Sequence, residues 1–199
     1  MKKILFATTN QGKLKEIREI LADADVEVIS LKDAGIDTQV EEDGSTFEEN
    51  AAIKATAFAK NSGVMTLADD SGLVIDYLDG APGIYSSRFL GEDTPYSEKN
   101  RIIIEKLADA KDEERSARFV CAICCAFPDG RTLTTKGVIE GRIGYEIKGE
   151  HGFGYDPIFY VPELGCTTAE IPESEKNKIS HRGKALTQMK ELLKKEGVI

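Results

Sequence analysis

Residues 67–76 read LADDSGLVID, and two carboxylates stand side by side in a run that otherwise belongs to a buried strand. Leu67, Leu73, Val74 and Ile75 are strand-core residues, whereas Asp69 and Asp70 repel each other and resist leaving water. Carboxylates so placed share a proton or a cation. Further upstream Glu41, Glu42 and Asp43 form an acidic run. If that run faces LADDSG, the gathered hard oxygens suit magnesium, which keeps several waters and binds substrate phosphates. Each segment has a plainer reading, Asp69 and Asp70 as caps of the turn before Gly72 and the acidic run as a solvated turn.

Three further segments carry donors. TTNQGK, residues 8–13, lies between an apolar strand and an amphipathic helix, where backbone N–H groups and the helix dipole favour an anion. Thr8, Thr9 and Asn10 add side-chain donors and Lys13 a charge; Thr and Asn also cap helices for structural reasons alone. It is no P-loop, because the leading Gly is missing and Leu14 stands where Ser or Thr would ligate magnesium. GFGYDP at 152–157 combines two glycines, two rings and one carboxylate, a composition suited to stacking on a base or to a tight turn before a strand. SEKNKISHRGKA brings Lys176, Lys178, His181, Arg182 and Lys184 together at the start of the last helix. In an acidic chain such a cluster suits anions, and His181 with the planar fork of Arg182 suits a ring carbonyl; solvated helix-end charges are the alternative.

The formal net charge of −9 argues against nucleic acid as the main partner, since duplex affinity comes from a basic surface. A small phosphorylated ligand needs only a few lysines and a divalent cation. With 199 residues and 41% hydrophobic content the chain supports one substantial core, at most divided into two lobes. MKKILFATTN has too short an apolar run for a signal peptide, and no stretch approaches membrane-spanning length, so a cytoplasmic protein without a membrane partner is expected. Cys121 and Cys124 lie on opposite faces of a strand-like segment, which reads as buried free thiols in a reducing compartment.

The elements that must position these residues are legible from periodicity. KILFA and VEVIS are strands around a helix with Leu14, Ile17 and Leu21 on one face. STFEENAAIKATAFAK is a helix with a capping box of Ser45 and Glu48 and an apolar face through Ala51, Ala55, Phe58 and Ala59. LADDSGLVID is a strand, NRIIIEKLADA a helix, and residues 116–143 two long strands joined at Asp129 and Gly130 by a two-residue hairpin. PIFYV is a strand, and SHRGKALTQMKELLKKEG closes the chain as a helix with Leu186, Met189 and Leu193 in register. Intermixed helices and strands with a central hairpin predict an α/β class with a mixed sheet flanked by helices.

Taken together, TTNQGK, EEDGSTFEENAAIKA, LADDSGL with GAPGIYSSRF, GFGYDPIF and ISHRGKAL resemble the non-standard purine nucleoside triphosphate pyrophosphatases, the inosine triphosphatase family. The resemblance runs in the family's order from near residue 4 to about residue 193. It implies an elongated, two-lobed single domain over residues 1–199 and a homodimer. The implied activity is magnesium-dependent hydrolysis of ITP, dITP and XTP to the monophosphate and pyrophosphate, cleansing the nucleotide pool. It also implies roles: Thr8, Thr9, Asn10, Gln11, Gly12, Lys13 and Lys54 on the substrate's phosphates, Ser71 on phosphate, and Glu41 and Asp70 on the metal. Asp70 and Asp69 are the implied catalytic pair. Phe153, Gly154, Tyr155 and Asp156 would frame the base, Lys176 would approach the nucleotide, and His181 with Arg182 would read the purine carbonyl. Ile147, Lys148 and Gly149 depart from the family's Pro-Arg-Gly, and Cys121 to Arg142 is framework. Two other readings are a septum-formation-type pyrophosphatase acting on modified pyrimidine or methylated nucleotides and a nucleotide-binding regulator without turnover.

Overall fold

Alternation of apolar runs with polar turns builds an open sheet in the computed structural model, which describes residues 2–199. β1 (Lys2–Phe6) leads through α1 (Gln11–Ile20) to β2 (Val26–Ser30), and β1 and β2 pair in parallel from Lys2 opposite Val26 to Phe6 opposite Ser30. After α2 (Phe47–Ser62) the chain returns as β3 (Thr66–Ile75) on the other side of β1, again parallel, with Leu5 opposite Thr66. Then follow α3 (Tyr96–Lys106), β4 (Ser116–Ala126), β5 (Thr132–Ile143), β6 (Phe159–Val161), β7 (Cys166–Thr167), α4 (Glu173–Ile179) and α5 (His181–Lys195). The sheet order is β2-β1-β3-β4-β5-β6-β7, with β5, β6 and β7 antiparallel, so the sheet is mixed as expected.

The chain divides into two compact units. The first comprises Met1–Asp70, Cys121–Gly137 and His181–Ile199. Its core packs Ile4 and Phe6 of β1 and Leu67 of β3 against Leu14 and Ile17 of α1 and Leu186 and Met189 of α5. Cys121, Ile123 and Cys125 join that core from one face of β4. Burying each such side chain contributes about 1.5–3 kcal/mol. The second unit comprises Ser71–Val120 and Val138–Ser180. Its core gathers Leu73, Ile103, Leu107, Phe119, Ile143 and Phe159.

Local details depart from the sequence reading in three places. The cap of α2 is Thr46, whose hydroxyl accepts from Glu49 N at 3.1 Å, and Glu49 reaches back to Ser45 N at 2.7 Å. The cap is therefore one residue later than Ser45, and Glu49 rather than Glu48 is the carboxylate that reaches back, because the register that buries Phe47 and Ala51 makes Thr46 the last non-helical residue. Glu48 instead pairs with Lys136 at 2.7 Å. The hairpin loop is Pro128-Asp129-Gly130, closed by Phe127 N to Arg131 O at 2.9 Å, with Gly130 at φ 91° supplying the left-handed residue of a three-residue loop. Finally, Lys176 and Lys178 belong to a separate short helix, α4, which ends at extended Ser180 before α5 begins.

Candidate active site

In the first unit β1 stands between β2 and β3, so the connection out of β1 runs to one side of it and the connection out of β2 returns to the other. Beyond the carboxyl ends of two such strands ligands collect in open α/β sheets. Ala7 N bonds Leu67 O at 2.8 Å, which sets the β1–α1 turn beside Ala68, Asp69 and Asp70. Strand alternation then sends the two aspartates to opposite faces.

Asp69 shares a face with Leu67 and meets α1 and α5. It is 1% exposed, and its Oδ2 lies 2.9 Å from Lys13 Nζ and 3.5 Å from Arg182 Nε. Arg182, also buried, pairs in addition with Glu16 of α1. Burial alone would push the Asp69 carboxyl up, but the Lys13 and Arg182 charges outweigh it and hold the group well below the usual carboxylate range. Asp69 is thus a permanent anion inside a fixed cationic frame.

Asp70 turns to the other face and meets α2. Asn50 Nδ2 donates to its Oδ2 at 3.1 Å, and Asn50 Oδ1 accepts from Gly44 N at 2.8 Å. One helical turn beyond Asn50, Lys54 Nζ lies 2.9 Å from Glu42 Oε2. Burial pushes the Asp70 carboxyl up to about 6, against the opposing charges of Lys54 and Lys13; the neighbouring Glu42 charge pushes in the same direction as burial. Of the acidic run, then, it is Glu42 that meets Lys54 and is felt by Asp70, whereas Glu41 is exposed. The Gly44–Asn50 bond fixes the register of this loop against α2.

In TTNQGK the side-chain oxygens serve the turn itself. Thr8 Oγ1 accepts from Asn10 N at 3.1 Å, Asn10 Oδ1 caps α1 by accepting from Lys13 N at 3.1 Å, and Gln11 Nε2 donates to Thr9 O at 3.5 Å. Thr9, Asn10 and Gln11 are exposed and Gly12 is half-buried. His181 opens α5, almost fully buried, in a segment that β5 approaches so closely that a Cβ at Gly137 would stand 2.0 Å from His181 O.

The second unit builds a separate cluster around GFGYDP. Asp156, 2% exposed, accepts from Lys176 Nζ at 2.6 Å, from Phe153 N at 2.8 Å and from Thr168 Oγ1 at 2.9 Å. Lys176 Nζ also lies 4.9 Å from the centre of the Phe153 ring, a cation–π distance. Gly152, at φ 72°, is required there, because a Cβ would sit 2.2 Å from Asp156 Oδ2. The two rings of the motif differ in exposure. Phe153 is half-exposed, while Tyr155 is buried, packs edge-on against Tyr96 and donates to Ser86 O at 2.6 Å. Asn100 Nδ2 holds Gly154 O at 3.1 Å. Ser71, half-buried, begins the second unit's share of β3.

Asn50, Glu16 and Thr168 escape a reading of the sequence by motif. The one available signal is Asn50, a polar residue on the apolar face of α2 between Phe47 and Ala51.

Residues 4–192 match the Ham1 family. A dITP/XTP pyrophosphatase of Exiguobacterium sibiricum is 50% identical over 191 residues, 96% of each chain. Another from Bacillus subtilis is 47% identical over 193 residues, 97% of this chain and 98% of that one. Among solved structures, a HAM1 protein from Coxiella burnetii has a TM-score of 0.89 at 44% identity, covering 98% of this chain and 100% of the other. The Staphylococcus aureus Ham1 protein has a TM-score of 0.87 at 42% identity, with coverages of 98% and 100%.

Proposed function

Because the chain belongs to the Ham1 family, we propose that it hydrolyses non-standard purine nucleoside triphosphates, dITP, XTP and ITP, to the monophosphate and pyrophosphate, clearing them from the nucleotide pool. The observation that carries this reading is the split between two adjacent carboxylates. Asp69 is locked by Lys13 and Arg182, and Asp70, on the other face, is held by one amide with Lys54 and Glu42 nearby. A pair pushed apart in this way divides into a structural anion and a group able to exchange a proton near neutrality.

In the reaction a water oxygen attacks the α-phosphorus and the bond from that phosphorus to the α,β-bridging oxygen breaks. Water's proton passes to an Asp70 oxygen as pyrophosphate leaves. Lys13 and Lys54 supply positive charge to the phosphate oxygens, and the turn of residues 8–13 supplies backbone donors at the start of α1. Among the described residues no three His, Cys, Asp or Glu side chains gather as a metal cage. Magnesium is commonly held by one or two carboxylates, with substrate phosphates and waters completing the shell. Asp70 would hold the ion with Glu42, the glutamate beside Lys54, in place of the Glu41 that the resemblance implies, and the bound ion would neutralise charge on the phosphate oxygens.

Base recognition is assigned to Phe153, whose ring offers a stacking face, with Lys176 and Asp156 holding its turn. His181 and Arg182 are assigned as donors to the purine carbonyl, Arg182 holding Asp69 as well. An adenine amino group would leave such donors unmatched. Homodimerisation follows from the resemblance, and a cytoplasmic location is consistent with four free cysteines. Among the described residues no helix is long and apolar enough to cross a membrane. Monophosphate and pyrophosphate yields from a panel of triphosphates, with and without magnesium, test the proposal. Equimolar products from dITP and XTP and little from ATP support it. A protein that binds dITP but releases no pyrophosphate, or prefers modified pyrimidines, overturns it.

A further inference from the structure

Asn50 occupies a place in α2 where the helical period expects an apolar side chain, and it is 1% exposed. Both ends of its amide are engaged: Oδ1 accepts from Gly44 N at 2.8 Å and Nδ2 donates to Asp70 Oδ2 at 3.1 Å. The Gly44 N–H fixes the orientation, because it takes only an acceptor and a flipped amide would present it with the NH2 group. Gly44 lies two residues after Glu42, and a Cβ at Gly44 would stand 2.7 Å from Asn50 Oδ1 and 2.8 Å from Glu49 Cβ. The acidic loop therefore approaches the helix as closely as bare backbone allows. One buried amide ties the loop carrying Glu42 to the strand carrying Asp70.

We infer that Asn50 is a positioning residue that sets the separation of the Glu42 and Asp70 carboxylates for a divalent cation and the triphosphate, an inference that rests on the hydrolytic reading above. Core filling alone would not demand both hydrogen bonds. Nor would helix formation, for which Asn is a poor choice. Groups that orient metal-binding carboxylates act on metal affinity and turnover, and less on the binding of distant parts of a substrate.

The test compares wild type with N50A, G44A and the double variant by dITP kinetics at saturating magnesium, by Mn2+ binding followed by electron paramagnetic resonance, and by thermal melting. N50A is expected to lower kcat about 100-fold while KM for dITP stays within about threefold. Its Mn2+ affinity should fall about tenfold. G44A, which displaces the same amide without deleting it, should give the same pattern more weakly and serves where N50A folds poorly. The double variant should be no worse than N50A, since both changes break one linkage. A raised KM with unchanged kcat, unaltered Mn2+ affinity in a folded variant, or losses that multiply would each overturn the inference. Wild type releasing no pyrophosphate would instead overturn the hydrolytic reading, and the Mn2+ measurement would still decide the role of Asn50.

Discussion

Asp69 and Asp70 are consecutive residues whose carboxyl groups are driven in opposite directions, the first held well below the ordinary range by Lys13 and Arg182 against burial, the second pushed by burial up to about 6. Strand alternation is the cause, since it hands one side chain to α1 and α5 and the other to α2. The pair has a stability consequence. Asp70 ionises in the unfolded chain near pH 4 but in the fold near 6, so between those values the folded state holds the extra proton. Stability associated with Asp70 is present at low pH and lost as pH rises through about 6.

Above that window the ionised Asp70 costs on the order of 2–3 kcal/mol in the metal-free protein. D70N removes the charge and keeps an acceptor for Asn50. In EDTA at pH 8 it should melt several degrees above wild type while losing nearly all hydrolytic activity, and the advantage should shrink toward pH 4. Melting curves across that range decide the matter; a variant less stable than wild type at pH 8 contradicts the assignment.

Lys13 does the reverse for Asp69. K13M leaves a fully buried carboxylate short of its nearest cation, and breaking a buried pair from one side costs roughly 3–5 kcal/mol. Pairing the change with D69N should recover much of that stability without recovering activity, because the phosphate-facing charge is still missing. The comparison is a urea titration of the three variants, and a K13M protein as stable as wild type would show that Asp69 does not depend on Lys13.

Much of the frame is legible in the sequence for a physical reason. VEVIS is a β-branched run and LADDSGLVI an apolar run broken by its acidic pair, and they form β2 and β3 almost to the residue. Leu186, Met189 and Leu193 keep one helical face and are buried together in α5. What escapes is register at the scale of one residue. Ser45 and Thr46 are both capping residues, and only the packing of Phe47, Asn50 and Ala51 decides between them. Buried partners distant in sequence, such as Glu16 with Arg182 or Thr168 with Asp156, are likewise invisible, because no local period records a contact made through the fold.

Register yields a discriminating experiment. E42Q removes the carboxylate that meets Lys54 and acts on Asp70, and it should raise the magnesium concentration for half-maximal activity about tenfold. E41Q, at an exposed position, should leave that value close to wild type. Magnesium titrations of both variants at fixed dITP settle which glutamate belongs to the site. Equal effects would mean that the loop's total charge matters and its register does not.

The cluster in the second unit makes its own forecast. Asp156 and Lys176 are both almost fully buried and pair at 2.6 Å, and the same carboxylate fixes the backbone of Phe153. K176M leaves a buried anion that still has the Phe153 amide and Thr168 hydroxyl, and D156N removes the carboxylate that lies 2.6 Å from the buried Lys176 ammonium. Each single variant should cost about 3–5 kcal/mol. D156N/K176M should cost less than the sum of the singles, since neither charge is then left alone. Because the turn carrying Phe153 loosens in every case, KM for dITP should rise more than kcat falls, the opposite of the pattern expected at Asn50. Stability curves and steady-state kinetics on the three variants would reveal a merely structural pair if KM stayed at the wild-type value in a folded double variant.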